Sequence, residues 1–145
     1  MTCQPRLPNG SPIPNDTIHD GTCTNFGSAC VSMRCNADKC AKPGGTSCAA
    51  ASECYSNTCT NSVCATKANG GDCVGNQDCA SNSCKSNHCV PAANGCYVDG
   101  ECSNTQFCNR STLTCATKLT SGTAIPTDGL HTGSCNDAAA VCQSA

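Results

Sequence analysis

Cysteine dominates the chemistry available to this chain, with 19 copies among 145 residues. Dense cysteine can form disulfides, hold a metal or supply a nucleophile. Neighbouring cysteines are always separated by at least four residues, so the C-x-x-C knuckle of zinc sites and the C-x-x-C-H sequence of haem attachment do not occur. The three histidines form no H-x₃₋₅-H pair. We therefore predict disulfides, with no metal and no cofactor.

Catalysis has little support in the sequence. The only adjacent base and sulfur are His88 and Cys89, and Cys89 fits better as a half-cystine of a repeated pattern. We find no Ser/His/Asp arrangement in a recognisable motif, no phosphate-binding loop and no pair of carboxylates in an apolar setting. We predict that the protein is not an enzyme.

The remaining composition indicates a small core and an exported protein. Trp is absent, and the aromatic side chains are two Phe and two Tyr, too few to fill a core for 145 residues. Eight basic and ten acidic residues make neither nucleic acid nor an anionic membrane an expected partner, and no apolar run is long enough to span a bilayer. Because disulfides persist in oxidising compartments, we expect an extracellular or cell-surface location.

The cysteines fall into repeated groups of four. In the first three groups the pattern is G-x₁₋₂-C-x₅₋₆-C-x₄-C-x₄-C, and the second and third superimpose without a gap when Cys48 is placed on Cys73. The predicted organisation is the end of a preceding module with a Pro/Gly spacer (1–22), module 1 (23–40), module 2 (48–64), module 3 (73–89), module 4 (96–115), a second spacer (116–134) and the start of a further module (135–145).

Four cysteines allow three pairings, and the sequence leaves all three open. We favour first-to-third and second-to-fourth, since crossed bonds make so short a segment compact. The expected bonds are Cys23–Cys35, Cys30–Cys40, Cys48–Cys59, Cys54–Cys64, Cys73–Cys84, Cys79–Cys89, Cys96–Cys108 and Cys102–Cys115.

The expected fold is a set of small disulfide-rich repeats in an elongated tandem array whose modules touch only their neighbours. Four residues between cysteines leave room only for a turn or a very short hairpin, so we predict mostly coil and turns, short two-stranded β-ribbons and little helix. An acidic residue precedes the second cysteine at Glu53, Asp78 and Glu101. We interpret these as solvated turn carboxylates in preference to calcium ligands, which would need several oxygens converging on one loop.

The spacing GxxC…C-x-S-N-x-C-x₄-C, seen around Cys54 and Cys79, resembles small disulfide units of Dickkopf-like, colipase-like and EGF-like extracellular proteins. The whole chain more closely resembles the cysteine-rich tandem repeats of bacterial secreted and surface proteins, in which "IP.D" segments alternate with four-cysteine units. This resemblance implies a repeat scaffold outside the cell. It implies no particular activity, because such scaffolds host many functions.

The two ends of the chain match each other. Residues 2–33 and 114–145 align without a gap at an offset of 112, with 12 identities in 32 positions, including His19 with His131. The shared "IP.D…H" segment has no internal cysteine, and its Pro and Gly favour an extended linker or short strand. We interpret the two histidines as structural, bonding within the spacer.

The alignment leaves three cysteines without partners. Cys3 matches the fourth cysteine of a module, whereas Cys135 and Cys142 match the first and second. Either the chain is a window of a longer protein whose period equals this offset, or each subunit completes its neighbour, with a natural bond between Cys3 and Cys142. The expected partner in both cases is self, as a head-to-tail array.

The sequence is consistent with two functions. The favoured one is a structural protein of an extracellular disulfide-crosslinked filament or surface appendage. The alternative is a binding module such as an adhesin, receptor-like or inhibitor domain, with exposed loops at Tyr55 and Tyr97 as its candidate sites, although these tyrosines fit better as packing residues against a disulfide. Asn15 and Asn109 each begin an N-x-S/T sequon that permits glycosylation.

Overall fold

The computed structural model describes residues 5–25 and 29–143. Short antiparallel two-stranded sheets, turns and many disulfides make up this part of the chain, which confirms the predicted small disulfide-rich fold with little helix. The predicted joint residue Cys3 lies outside the described residues. Within the described ranges, no helix is long and apolar enough to cross a membrane.

Each four-cysteine group contains one β-hairpin. The strands are β1 (Cys35–Asn36) with β2 (Lys39–Cys40), β3 (Cys59–Thr60) with β4 (Val63–Cys64), β5 (Cys84–Lys85) with β6 (His88–Cys89), and β7 (Gln106–Asn109) with β8 (Thr114–Thr117). Short 3₁₀ helices lie at Cys23–Asn25, Ala51–Glu53, Asn76–Asp78, Asp99–Glu101 and Cys135–Asp137, and the last continues into α1 (Ala138–Val141).

The C-x₄-C spacing dictates the three short hairpins. Two of the four intervening residues pair across the strands, and the other two form the turn. Both turn residues have positive φ, as a type I′ turn requires; they are Ala37 (47°) and Asp38 (58°), Asn61 (51°) and Ser62 (61°), and Ser86 (45°) and Asn87 (62°). The turn therefore places the third and fourth cysteines directly opposite each other, as at Cys59 and Cys64.

This register explains how two disulfides fit on each hairpin. Residues directly opposite on an antiparallel pair project from the same face. The third and fourth cysteines therefore present two sulfurs side by side, and the first and second cysteines of the module bond to them. The structure has the crossed order in all four modules: Cys23–Cys35, Cys30–Cys40, Cys48–Cys59, Cys54–Cys64, Cys73–Cys84, Cys79–Cys89, Cys96–Cys108 and Cys102–Cys115.

A third chain segment pairs with the outer edge of each hairpin. In module 2, Gly45 N–H donates to Cys64 O (2.9 Å), Cys64 N–H donates to Thr46 O (2.8 Å) and Cys48 N–H donates to Ser62 O (2.9 Å). Module 3 repeats these bonds from Gly70 to Cys73. Gly45 and Gly70 have φ of +78° and +88°, so the entry to this segment favours glycine.

In module 1 the third segment comes from the predicted spacer. Gly10 N–H donates to Cys40 O (2.7 Å), Cys40 N–H donates to Ser11 O (2.9 Å) and Ile13 N–H donates to Asp38 O (2.9 Å). Ile13 thereby occupies the place that Cys48 has in module 2, and its side chain is buried. Residues 10–13 are therefore an integral strand-like part of the first module, and residues 14–22 form a loop between that segment and Cys23.

Half-cystines form most of the buried apolar material. The clusters of modules 2 and 3, centred on Cys54 and Cys89, consist of cysteine alone. The cluster of module 1 also contains Ile13, Ala29 and Leu7. Each small cluster covers only its own module. The crosslinks therefore supply the order that apolar packing supplies in an ordinary domain.

We predict that Ala37→Gly raises the free energy of unfolding by up to about 1 kcal/mol, because Ala37 has a φ of 47° and left-handed geometry costs an L-residue about 1–2 kcal/mol. Ala116→Gly, inside β8, is the matched control and should lower stability by about 0.5–1 kcal/mol. Denaturant unfolding followed by circular dichroism measures both. A loss of stability in the Ala37 variant would contradict the turn assignment.

Candidate functional site: module junctions and two free thiols

Successive modules are joined by a repeated backbone contact. In the first junction, Lys42 N–H donates to Glu53 O (2.7 Å), and Tyr55 N–H donates to Lys42 O (2.9 Å). A residue just after a fourth cysteine thus makes two hydrogen bonds that flank the second cysteine of the following module. The same pair of bonds recurs at Leu7 with Ala29 and Val31, at Lys67 with Asp78 and Ala80, and at Leu119 with Val141 and Gln143.

The junction between modules 3 and 4 uses side chains. Lys85 Nζ donates to Gly95 O (2.6 Å), and Ser86 Oγ donates to Glu101 Oε1 (2.7 Å). The His88 ring stacks on Tyr97, with centroids 3.5 Å apart and planes inclined by 5°. The hairpin of module 3 therefore supplies three contacts to the module that follows it.

The acidic residue before the second cysteine has a shared local role. At module 3 the Asp78 carboxylate accepts from Val74 N–H (2.9 Å) and Gly75 N–H (3.2 Å), so it caps the short helix that it ends. Glu101 accepts equivalent bonds from Tyr97 and Val98, and Glu53 accepts one from Ala49. The expectation of solvated carboxylates is wrong for Asp78, because only 2% of that residue is exposed.

A buried ion pair explains the burial of Asp78. Arg34 Nε lies 2.7 Å and 3.0 Å from the two carboxylate oxygens, and Arg34 is 5% exposed. Burial raises the pKa of Asp78. The hydrogen bonds from Arg34 and from two backbone N–H groups, together with the Arg34 charge, outweigh that effect and hold the pKa below its usual value.

This ion pair connects module 1 with module 3, which are not adjacent in sequence. The linker between modules 1 and 2 also reaches module 3, since a side chain on Gly44 would lie 2.5 Å from Gln77 O. The prediction that modules touch only their neighbours is therefore wrong for modules 1 to 3. The sequence carries no signal for the contact, because Arg34 and Asp78 occupy different positions of the repeat and are 44 residues apart.

Both tyrosines are held by cationic side chains. Lys67 Nζ lies 3.8 Å from the Tyr55 ring centroid, and Arg110 Cζ lies 3.5 Å from that of Tyr97. Tyr97 is thus held between Arg110 and His88. These cation–π contacts occupy ring faces that a binding loop would need free.

The two spacer histidines have similar local bonds. In each copy the aspartate three residues earlier accepts from the histidine backbone N–H and lies near its Nδ1, at 3.2 Å for His19–Asp16 and 3.0 Å for His131–Asp128. His131 also reaches outside the spacer, with Nε2 3.2 Å from Asp99 Oδ2, and only 3% of it is exposed. The predicted bonding within the spacer is thus only part of its role, since His131 fastens the second spacer to module 4.

Three sets of cysteines each bring their sulfur atoms within 4.8 Å of one another. The sets are Cys48, Cys54 and Cys59; Cys73, Cys79 and Cys89; and Cys96, Cys102 and Cys115. Each group contains a disulfide-bonded pair, and the short distances follow from two bonds on one hairpin face. Sulfurs bonded to each other offer no thiolate to a metal or a substrate. This includes Cys89, the neighbour of His88, which is bonded to Cys79.

Cys135 and Cys142 are free thiols; Cys135 is exposed and Cys142 is half-buried. They lie on either side of the segment that contains α1, and the Leu119 junction fixes the backbone around Cys142. They are the reactive groups at this end of the described chain. No known protein family, curated protein or solved structure matches the sequence.

The described chain thus belongs to the class of small, cysteine-rich, disulfide-bonded proteins with short two-stranded sheets. Its eight disulfides indicate an oxidising environment.

We predict that Arg34→Met lowers the free energy of unfolding by about 3–5 kcal/mol, because it leaves the buried Asp78 carboxylate without its counter-ion. Lys42→Met is the matched control. It breaks an ion pair with Glu53 whose side chains are 28% and 30% exposed, so it should cost less than about 1 kcal/mol. Equal losses in the two variants, measured by denaturant unfolding, would contradict the burial of the first pair.

We predict that Asp78→Asn weakens the dependence of stability on acid pH. The folded-state pKa of Asp78 is lowered, so the carboxylate stabilises the fold above its unfolded pKa of about 3.9, and this contribution is lost as pH falls through the lower folded value. The wild-type free energy of unfolding should therefore fall more steeply than that of the variant below about pH 4. Parallel curves from about pH 2 to 6 would show that Asp78 does not supply this dependence.

Proposed function

We propose that this chain is a structural protein of an extracellular, disulfide-crosslinked filament or surface appendage, built as a head-to-tail array whose period is the sequence interval from Cys3 to Cys115. The resemblance to cysteine-rich tandem repeats of bacterial secreted and surface proteins supports only the repeat scaffold outside the cell. Glycosylation at Asn15 and Asn109 remains a prediction.

The observation that carries the proposal is that two segments separated by that sequence period share the same junction and turn hydrogen bonds. Leu7 and Leu119 make the same pair of junction bonds, at 2.7 and 3.0 Å in the first copy and 2.8 and 2.9 Å in the second. The following turn is also shared, with Ser11 N–H donating to Pro8 O and Thr123 N–H donating to Thr120 O. A sequence period that is also a bonding period is what an array needs, because each repeat must offer the same joint.

The repeated junction is the second support. It uses backbone atoms and places no demand on the side chains of Leu7, Lys42, Lys67 or Leu119. A joint of this kind can be reused while the sequence changes, and it recurs at every described junction except the one between modules 3 and 4. It is also directional, since the end of one module contacts the beginning of the next, and directional contacts that do not close into a ring produce filaments.

Free thiols at one end of this arrangement suit covalent growth. Cys135 is exposed, and a disulfide to another module would lock a joint that backbone hydrogen bonds alone would hold weakly. An oxidising exterior would make such bonds persistent.

We predict that native material migrates as a ladder of polymers on a non-reducing denaturing gel and as a single short species after reduction. Electron microscopy of the same material should show rods with an axial repeat. The variant Cys135→Ser with Cys142→Ser should shorten the ladder, and Ser81→Ala, which alters no cysteine, should leave it unchanged. A single monomer band without reductant, and no rods, would refute the filament.

The alternative function, an extracellular binding module, is favoured by one cleft of about 370 Å³. Residues from three modules line it, including Met33, Tyr55, Val74 and His88. Met33 is 46% exposed, and a flexible apolar side chain at such a position suits contact with a partner. A monomeric protein that loses a tight partner on Met33→Asp, with its fold intact, would support this function over the filament.

A further inference from the structure

The two copies of the spacer differ in what covers them. In the first copy, the β1–β2 hairpin lies along residues 10–13 through the three backbone hydrogen bonds with Cys40 and Asp38. In the second copy, the corresponding donors and acceptor are Gly122 N–H, Thr123 O and Ile125 N–H. Across residues 5–25 and 29–143, no strand pairs with this segment.

Burial of the side chains follows the same difference. Ile13 is 5% exposed and Ser11 is half-buried under the hairpin, whereas Ile125 is only half-buried and Thr123 is exposed. The backbone is nonetheless preset for pairing. Gly122 has φ of +84°, close to the +88° of Gly10, and the Leu119 junction and the Thr120–Thr123 turn are in place.

The bonding of the two cysteines that follow the spacer also differs between the two copies. Cys23 and Cys30 are bonded to the two cysteines of the β1–β2 hairpin, Cys35 and Cys40. Their counterparts Cys135 and Cys142 are free. An unpaired strand edge and two free thiols therefore coincide at the places where the first copy binds one hairpin.

We propose that the surface formed by residues 122–125, Cys135 and Cys142 binds a Cys-x₄-Cys β-hairpin of the type this chain uses itself, and that Cys135 bonds the first cysteine of that hairpin and Cys142 the second. The inference rests on the proposed array and deepens it by naming its joint. The hairpin must bring two reduced cysteines, because those of the three described Cys-x₄-Cys hairpins are bonded within their own modules. Three backbone hydrogen bonds would supply alignment, and the side chain of Ile125 would become buried as that of Ile13 is. Alignment before oxidation would fix the order of the two bonds.

The covalent step is thiol–disulfide exchange with a small-molecule disulfide as the oxidant. The Cys135 thiolate attacks one sulfur of glutathione disulfide and releases one glutathione thiolate. A hairpin thiolate then attacks the Cys135 sulfur of the mixed disulfide and releases the second. Each new bond thus removes two electrons and two protons from a pair of thiols and reduces one glutathione disulfide to two glutathione molecules, and the Cys142 bond repeats the sequence.

The test uses the full chain and a synthetic peptide with the sequence of residues 34–41, RCNADKCA, in a glutathione redox buffer. Mass spectrometry should find a one-to-one adduct that has lost four hydrogens. Peptide mapping should find Cys135 on the first peptide cysteine and Cys142 on the second. Ile125→Asp should reduce the adduct at least tenfold by placing a charge where the hairpin packs, and Ile18→Asp, at a side chain 73% exposed, should leave it unchanged.

Three outcomes would overturn the inference: an internal Cys135–Cys142 bond in place of the adduct, random order of the two bonds, or equal capture by the two isoleucine variants. The filament is judged separately by the gel and microscopy of native material. Polymers without ordered hairpin capture would refute this joint and leave the filament standing. Ordered capture by a protein that never polymerises would refute the filament and leave the joint.

Discussion

The crossed pair of disulfides on a six-residue hairpin is the constraint on which the rest of this structure depends. A two-stranded hairpin alone is marginal in water, and the four aromatic residues cannot build a core around it. Each disulfide closes a loop of 10 to 13 residues, which the chain-entropy model values at roughly 3 kcal/mol. Two such bonds fix the hairpin, the short helix and the segment between them as one unit. Everything else is attached to these units.

Attachment between units relies on groups that the units leave exposed. Backbone atoms beside the second cysteine accept and donate at the repeated junctions, and polar or charged side chains supply the junction at Tyr97. The Arg34–Asp78 pair adds a contact that skips a module. Because a buried carboxylate is costly without its cation, this pair specifies the relative placement of modules 1 and 3 more strictly than nonspecific packing would.

The first spacer is part of a folded module and does more than link two modules. Residues 10–13 complete the sheet of module 1, and Ile13 takes the position that a cysteine holds in module 2. A module that begins this way needs its hairpin to cover an apolar side chain as well as to form two disulfides. The second copy, with Ile125 half-buried, has the same need. Hydrogen bonding, burial and thiol chemistry thus point to one kind of occupant for that edge.

The sequence by itself determined the units of this protein. C-x₄-C leaves room only for a turn or a very short hairpin, and of the three possible pairings the crossed one is favoured because it makes the segment compact. The match between the two ends of the chain likewise located the two spacers and the two unpartnered thiols Cys135 and Cys142. These features are local or periodic, and spacing records them directly.

Only the tertiary structure decided how the units contact one another. Arg34 finds Asp78 and His131 finds Asp99 across gaps of 44 and 32 residues, and Lys67 finds Tyr55 in the preceding module. Such pairs occupy different positions of the repeat, so no periodic pattern reveals them. Ion pairing and cation–π contact hold these pairs together, at surfaces that exist only after the modules have folded and met. Local spacing fixes a module, whereas contacts between modules depend on a geometry that no single module contains.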